Sequence, residues 1–123
     1  MSLKRISLPV FALLLVGFGM QQAQAHAHLK SQYPAAGADM TAAPQALTLN
    51  FSEGIEPGFS GLSLIGPDNA VIPTGKIKTD PANPAQIIVP IEKPLTAGSY
   101  QVQWHAVSVD GHKTQGDYRF NVK

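Results

Sequence analysis

The chain has 123 residues, with 9 basic and 8 acidic side chains, four histidines and no cysteine. That length holds one domain at most, and a net charge of +1 offers no clustered basic surface for nucleic acid. The absence of cysteine excludes disulfides, thiolate metal sites, iron–sulfur clusters and cysteine nucleophiles together.

Residues 1–25 read as a cleaved signal peptide. Lys4 and Arg5 form a positive start, residues 6–20 are apolar, and the segment ends in Ala23-Gln24-Ala25. As a helix the apolar run spans roughly 22 Å, short of the ~30 Å hydrocarbon core, so no membrane insertion is expected after cleavage. Cleavage after Ala25 leaves a domain of residues 26–123 that begins at His26. A second Ala-x-Ala, Ala25-His26-Ala27, would instead leave a chain beginning at His28. Loss of Lys4 and Arg5 without any acid takes the net charge from +1 to −1. The expected destination is the periplasm in a Gram-negative cell, with full secretion as the alternative.

The remaining chain alternates short β-rich runs with Pro/Gly turns, and no window keeps a 3.6-residue period. Strands are predicted at 27–30, 46–51, 61–65, 70–72, 76–78, 86–91, 99–107 and 116–122. Three alternate cleanly. Leu47, Leu49 and Phe51 share one face; Tyr100, Val102, Trp104 and Ala106 share another; Tyr118, Phe120 and Val122 a third. Each is a half-buried strand with one wet side. Together they predict an all-β fold: an immunoglobulin-like sandwich or small Greek-key barrel of about seven strands. Its core should come from Trp104, Phe51, Phe59, Phe120 and the aliphatic residues. Pro34, Pro44, Pro57, Pro67, Pro81, Pro84 and Pro94 are expected in connections.

The histidines fall into two groups, His26 and His28 near the cleavage point and His105 and His112 late in the chain. His112 lies in the run Val109-Asp110-Gly111-His112-Lys113, read as a turn between two strands. Sandwiches gather loops and chain ends at two poles, so this turn and the N-terminus are candidates for one pole. An N-terminal His26 offers its α-amine and its own Nδ1 in one chelate ring. His112 adds a third nitrogen and Asp110 an oxygen. Such an N₃O set suits Cu(2+) best among first-row divalent ions. With Met40 as the one methionine left after cleavage, soft ligands for Cu(I) are missing. A local alternative stays open: the amine, two deprotonated peptide nitrogens and the His28 imidazole of His26-Ala27-His28 make a square-planar site that needs no fold, and His28 is therefore a further candidate ligand. Asp110-Gly111 is also a common turn pair, His105 on a wet strand face reads as solvated, and Glu53 at a strand end reads equally well as an ordinary surface acid.

The runs His26-Ala27-His28-Leu29, Tyr33-Pro34-Ala35-Ala36-Gly37 and Leu47-Thr48-Leu49-Asn50-Phe51-Ser52-Glu53 resemble the first half of CopC-type copper-resistance proteins. The runs Leu95 to Trp104, Val107-Ser108-Val109-Asp110-Gly111-His112 and Gly116-Asp117-Tyr118-Arg119-Phe120 resemble the second half. The resemblance implies a periplasmic, cupredoxin-like or immunoglobulin-like β-barrel that binds Cu(2+) through the N-terminal His with its amine and the late Asp-x-His, here His26, Asp110 and His112. It implies Glu53 as an acid near the metal that does not ligate it. It also implies an inner-membrane CopD-type copper importer as a partner. The Met-rich Cu(I) loop of some members has no counterpart here.

The reading is a non-enzymatic periplasmic Cu(2+) buffer or carrier in copper homeostasis or resistance. Its rivals are a copper-dependent oxidative enzyme with a histidine brace and a metal-free β-sandwich interaction module. No Gly-x-Ser-x-Gly elbow, phosphate-binding glycine motif or calcium loop is present.

Overall fold

The computed structural model describes residues 27–123. The signal-peptide reading, the cleavage point and His26 lie outside the described residues. The strands are β1 (Leu29–Tyr33), β2 (Asp39–Met40), β3 (Ala46–Phe51), β4 (Gly61–Ile65), β5 (Val71–Ile72), β6 (Lys78–Asp80), β7 (Asn83–Pro90), β8 (Gly98–Val107) and β9 (Lys113–Val122). They form a four-stranded sheet in the order β1-β3-β7-β6 and a five-stranded sheet in the order β2-β9-β8-β4-β5. Every pairing is antiparallel except β2 with β9.

The two-residue period explains which faces meet. In β3, Leu47, Leu49 and Phe51 are buried while Ala46, Thr48 and Asn50 are partly exposed. In β8, Tyr100, Val102, Trp104 and Ala106 are buried, and Gln103 and His105 face water. In β9, Tyr118, Phe120 and Val122 point inward. The inner faces meet through aromatic contacts: Phe51 meets Trp104 edge-on at 5.2 Å, and Tyr100 stacks on Phe120 at 5.5 Å. The Tyr100 hydroxyl, carried into the core, donates to the Thr96 carbonyl at 2.6 Å. Gly116 stands opposite Trp104 on β9, and a side chain there would collide with the indole, its Cβ 2.8 Å from Cζ2.

The structure corrects several expectations. Phe59 is not a core residue: it sits in a single 3-10 turn, Pro57–Phe59, and is 72% exposed. Nothing alternates in Pro-Gly-Phe to aim its ring inward. Ile55, one of the aliphatic residues, fills the core at the sheet corner instead. Pro84 lies within β7 rather than in a connection. It precedes Gln86, where the pairing with β3 begins, and stands beside the irregularity between Lys78 and Asp80 of β6, so its missing N–H falls outside the regular ladder. β9 begins at Lys113, three residues before the expected start, because the long β8 supplies pairing partners down to Val107. β2, with only two residues, is too short to show alternation in the sequence.

Candidate metal centre

The β8–β9 hairpin ends in a tight turn. The Ser108 N–H donates to the His112 carbonyl at 2.9 Å, and the Gly111 N–H donates to the Ser108 carbonyl at 2.8 Å. Closing the turn puts Gly111 at φ +91°, a conformation that glycine adopts without the strain a side chain brings. Ser108 continues the inward parity of Trp104 and Ala106 and is 1% exposed. The next residues swing out, so Asp110 and His112 are each a little under half exposed.

Three donors converge on one carboxylate oxygen. Asp110 Oδ1 accepts from the buried Ser108 hydroxyl, from His112 Nδ1 at 3.0 Å, and from the His112 N–H at 3.3 Å. These bonds favour the ionised carboxylate, the Ser108 hydroxyl most and His112 next, with desolvation opposing them; Asp110 is held down to about 2. When Nδ1 donates to Asp110, Nε2 is the ring nitrogen left for a metal, and an oriented imidazole of this kind is a stronger ligand. Asp110 retains Oδ2.

The hairpin is tied to the start of the described chain through the segment after β3. Leu29 pairs with Phe51. His28 continues the ladder: its N–H donates to Ser52 Oγ at 2.8 Å and its carbonyl accepts from the Ser52 N–H at 2.9 Å. Two residues on, the chain crosses to the other sheet. The Val109 N–H donates to the Gly54 carbonyl at 3.0 Å, Ile55 bridges to Ser108, and the Glu56 N–H donates to the Val107 carbonyl at 2.8 Å. Residues 52–54 therefore link His28 to the Asp110 hairpin at one pole of the sandwich. Ala27 is buried at 2% exposure and fixes the chain just before it.

Asp110 and His112 are thus brought together, with His28 at the same end of the molecule. Glu53 is half-buried on the linking segment and forms no side-chain hydrogen bond or ion pair among the described residues. Among the described residues no group of three His, Cys, Asp or Glu side chains converges as a metal cage. His105 faces outward over Gly61, on a shallow groove with Gln103, Gln115 and Asp117, away from the hairpin tip. Met40 packs against the core. Ser108 is the site residue that sequence reasoning passed over, although its parity with Trp104 and Ala106 marks it as buried beside Asp110.

A two-sheet sandwich whose late hairpin carries an Asp-x-His at the pole reached by the N-terminal strand defines a recognisable class. The CopC domain family model matches residues 29–123, and the chain belongs to the CopC family. It is 59% identical over 99 residues to Protein YobA of Escherichia coli K12, covering 80% of each chain. Among solved structures, CopC from Methylosinus trichosporium OB3b superposes with a TM-score of 0.75 at 28% identity, covering 80% of this chain and 94% of that one. PcoC, a methionine-rich copper resistance protein from Escherichia coli, superposes with a TM-score of 0.71 at 38% identity, covering 80% of this chain and all of that one. This chain is not methionine-rich: it has Met1, Met20 and Met40.

Proposed function

We propose that this protein is a periplasmic Cu(2+)-binding member of its family that buffers or carries copper and is not itself an enzyme. In this reading residues 1–25 are removed on export. His26 gives its α-amine and imidazole, His112 gives Nε2, and Asp110 holds His112 in the metal-free protein and gives an oxygen once Nδ1 is released, since a carboxylate bonded to Nδ1 lies too far from a metal on Nε2 to ligate it. Glu53 tunes the local charge without ligating. Copper is the cargo, and a CopD-type inner-membrane importer is the receiving partner the family suggests.

The observation that carries the reading is the Ser108–Asp110–His112 arrangement, a prepared imidazole at the pole where the chain enters. His26 is one peptide bond before the anchored Ala27, so its reach is short. The nitrogen and oxygen donors suit the oxidised ion, and the copper resistance named for PcoC fits that cargo.

The same geometry argues against the local His26-Ala27-His28 mode. That mode uses the deprotonated peptide nitrogen of His28, whose N–H is already donated to Ser52 Oγ at 2.8 Å. It would also pull on the backbone of the buried Ala27. Calorimetry with Cu(2+) on correctly processed protein separates the two. His112→Ala should weaken binding by about a hundredfold or more, and His28→Ala should change it little. The reverse pattern would establish the local mode.

A further inference from the structure

The two sheets end in edge strands, and most are blunted against pairing. β1 is bulged between Leu29 and Ser31, β6 has three residues with an irregularity between Lys78 and Asp80, and β5 has two residues. β9 is different. It pairs with β8 over ten consecutive residues without a shift. On its other side β2 covers only Asn121 and Val122, and the Gly37 N–H reaches the Arg119 carbonyl at 2.7 Å. A straight run, residues 113–117, is left without a neighbouring strand among the described residues.

The direction of its free groups follows from the bonds at the covered end. The Arg119 carbonyl accepts from Gly37, the Asn121 N–H donates to Ala38, and the Lys123 N–H donates to Met40. In an antiparallel ladder the N–H and C=O of one residue point to the same side, and successive residues alternate. The register is unbroken, so Lys113, Gln115 and Asp117 present their N–H and C=O groups to that same outer side.

We propose that this edge is a self-association surface, on which a second copy of the chain pairs antiparallel about a twofold axis at Gln115. Gln115 then faces its own copy, and Lys113 faces Asp117 of the other copy twice. Each is a hydrogen-bonded pair, giving six main-chain bonds across the axis. Lys113 and Asp117 are exposed on the outer face, so the register sets opposite charges directly cross-strand. Moving the register one pairing step either way sets Lys113 or Asp117 against Gln115. It also drives the strand end onto Gly111 or onto Arg119, whose carbonyl Gly37 already takes. The hairpin tip bends off the line of β9 toward Gly54, which leaves the strand end open. Such a pairing is isologous and closed, so it stops at a dimer. It separates the two His112 residues, six strand positions apart, by about 20 Å.

One strand pair buries less than a standard interface, so association is weak: monomer at ~10 µM and mostly dimer near ~1 mM. Sedimentation equilibrium of metal-free protein tests it, and so does not depend on the copper reading. Lys113→Asp and Asp117→Lys should each lower the association constant by about tenfold, because attraction becomes repulsion at both pairs. The double swap should restore it. Gln115→Pro removes only the outward N–H, which β8 does not use, and should give a folded monomer at every concentration. Near-ultraviolet dichroism of Trp104 checks that each variant is folded. A chain still monomeric at ~1 mM overturns the proposal and leaves the edge to an extended segment of another protein. A dimer indifferent to Gln115→Pro or to the charge swap overturns it by placing the contact on another face.

Discussion

Ser108→Ala removes one hydroxyl and isolates what holds the Asp-x-His hairpin. In the folded protein Asp110 sits at about 2, against an ordinary 3.8, and the Ser108 hydroxyl is the largest cause. Its loss should raise Asp110 toward its ordinary value, with the His112 bonds keeping part of the effect. The consequence for stability has a definite sign. A carboxylate whose folded value is depressed stabilises the fold above its unfolded value and loses that contribution as pH falls toward the folded value. The native chain should therefore lose stability between about pH 4 and pH 2 through this group, and the variant should lose less over the same window. Ser108 is buried, and alanine fits its space, so the fold itself should persist. Carbon-detected NMR titration of the Asp110 carboxyl carbon reads the shift directly. An Asp110 that still titrates near 2 in the variant would refute the assignment to Ser108 and move the cause to His112.

Other consequences are equally direct. Gly111→Ala meets no neighbour within 4 Å but forces a side chain to φ +91°, which should cost about 1–2 kcal/mol in urea unfolding; Gly111→Asn should cost less, since asparagine tolerates this region. Gly116→Ala puts a Cβ 2.8 Å from the Trp104 ring and should cost about 1–3 kcal/mol, with a change in fluorescence from the single tryptophan. Burial pushes the Tyr118 phenol well above its ordinary value, so absorbance at alkaline pH should show Tyr118 ionising only as the fold is lost.

The fold was legible wherever one face of a strand is buried. β3 and β4 appear in the sequence at their observed limits because Leu47, Leu49 and Phe51, and the run 61–65, are bounded by turn residues. The ends of β7 and β9 were less legible. Asn83-Pro84 and Lys113-Thr114-Gln115 carry little β signal of their own and are strands because a paired neighbour holds them. Phe59 shows the opposite error, a large apolar residue that a local Pro-Gly turn leaves in water. At the site, Asp110 and His112 stood out by spacing, and Ser108 was hidden by its ordinary side chain. The tie between His28, Ser52 and the Gly54–Val109 crossing is tertiary and has no sequence signature. It is what gives His28 and the hairpin a common pole.

The most direct test is intact-mass spectrometry of exported protein under native conditions, with and without Cu(2+), for the native chain and His112→Ala. The proposed site predicts a chain of residues 26–123 that starts at His26, takes up one Cu(2+), and loses it when His112 is replaced. A mature chain that starts at His28 and binds copper as well, or copper retention that is indifferent to His112, would contradict it.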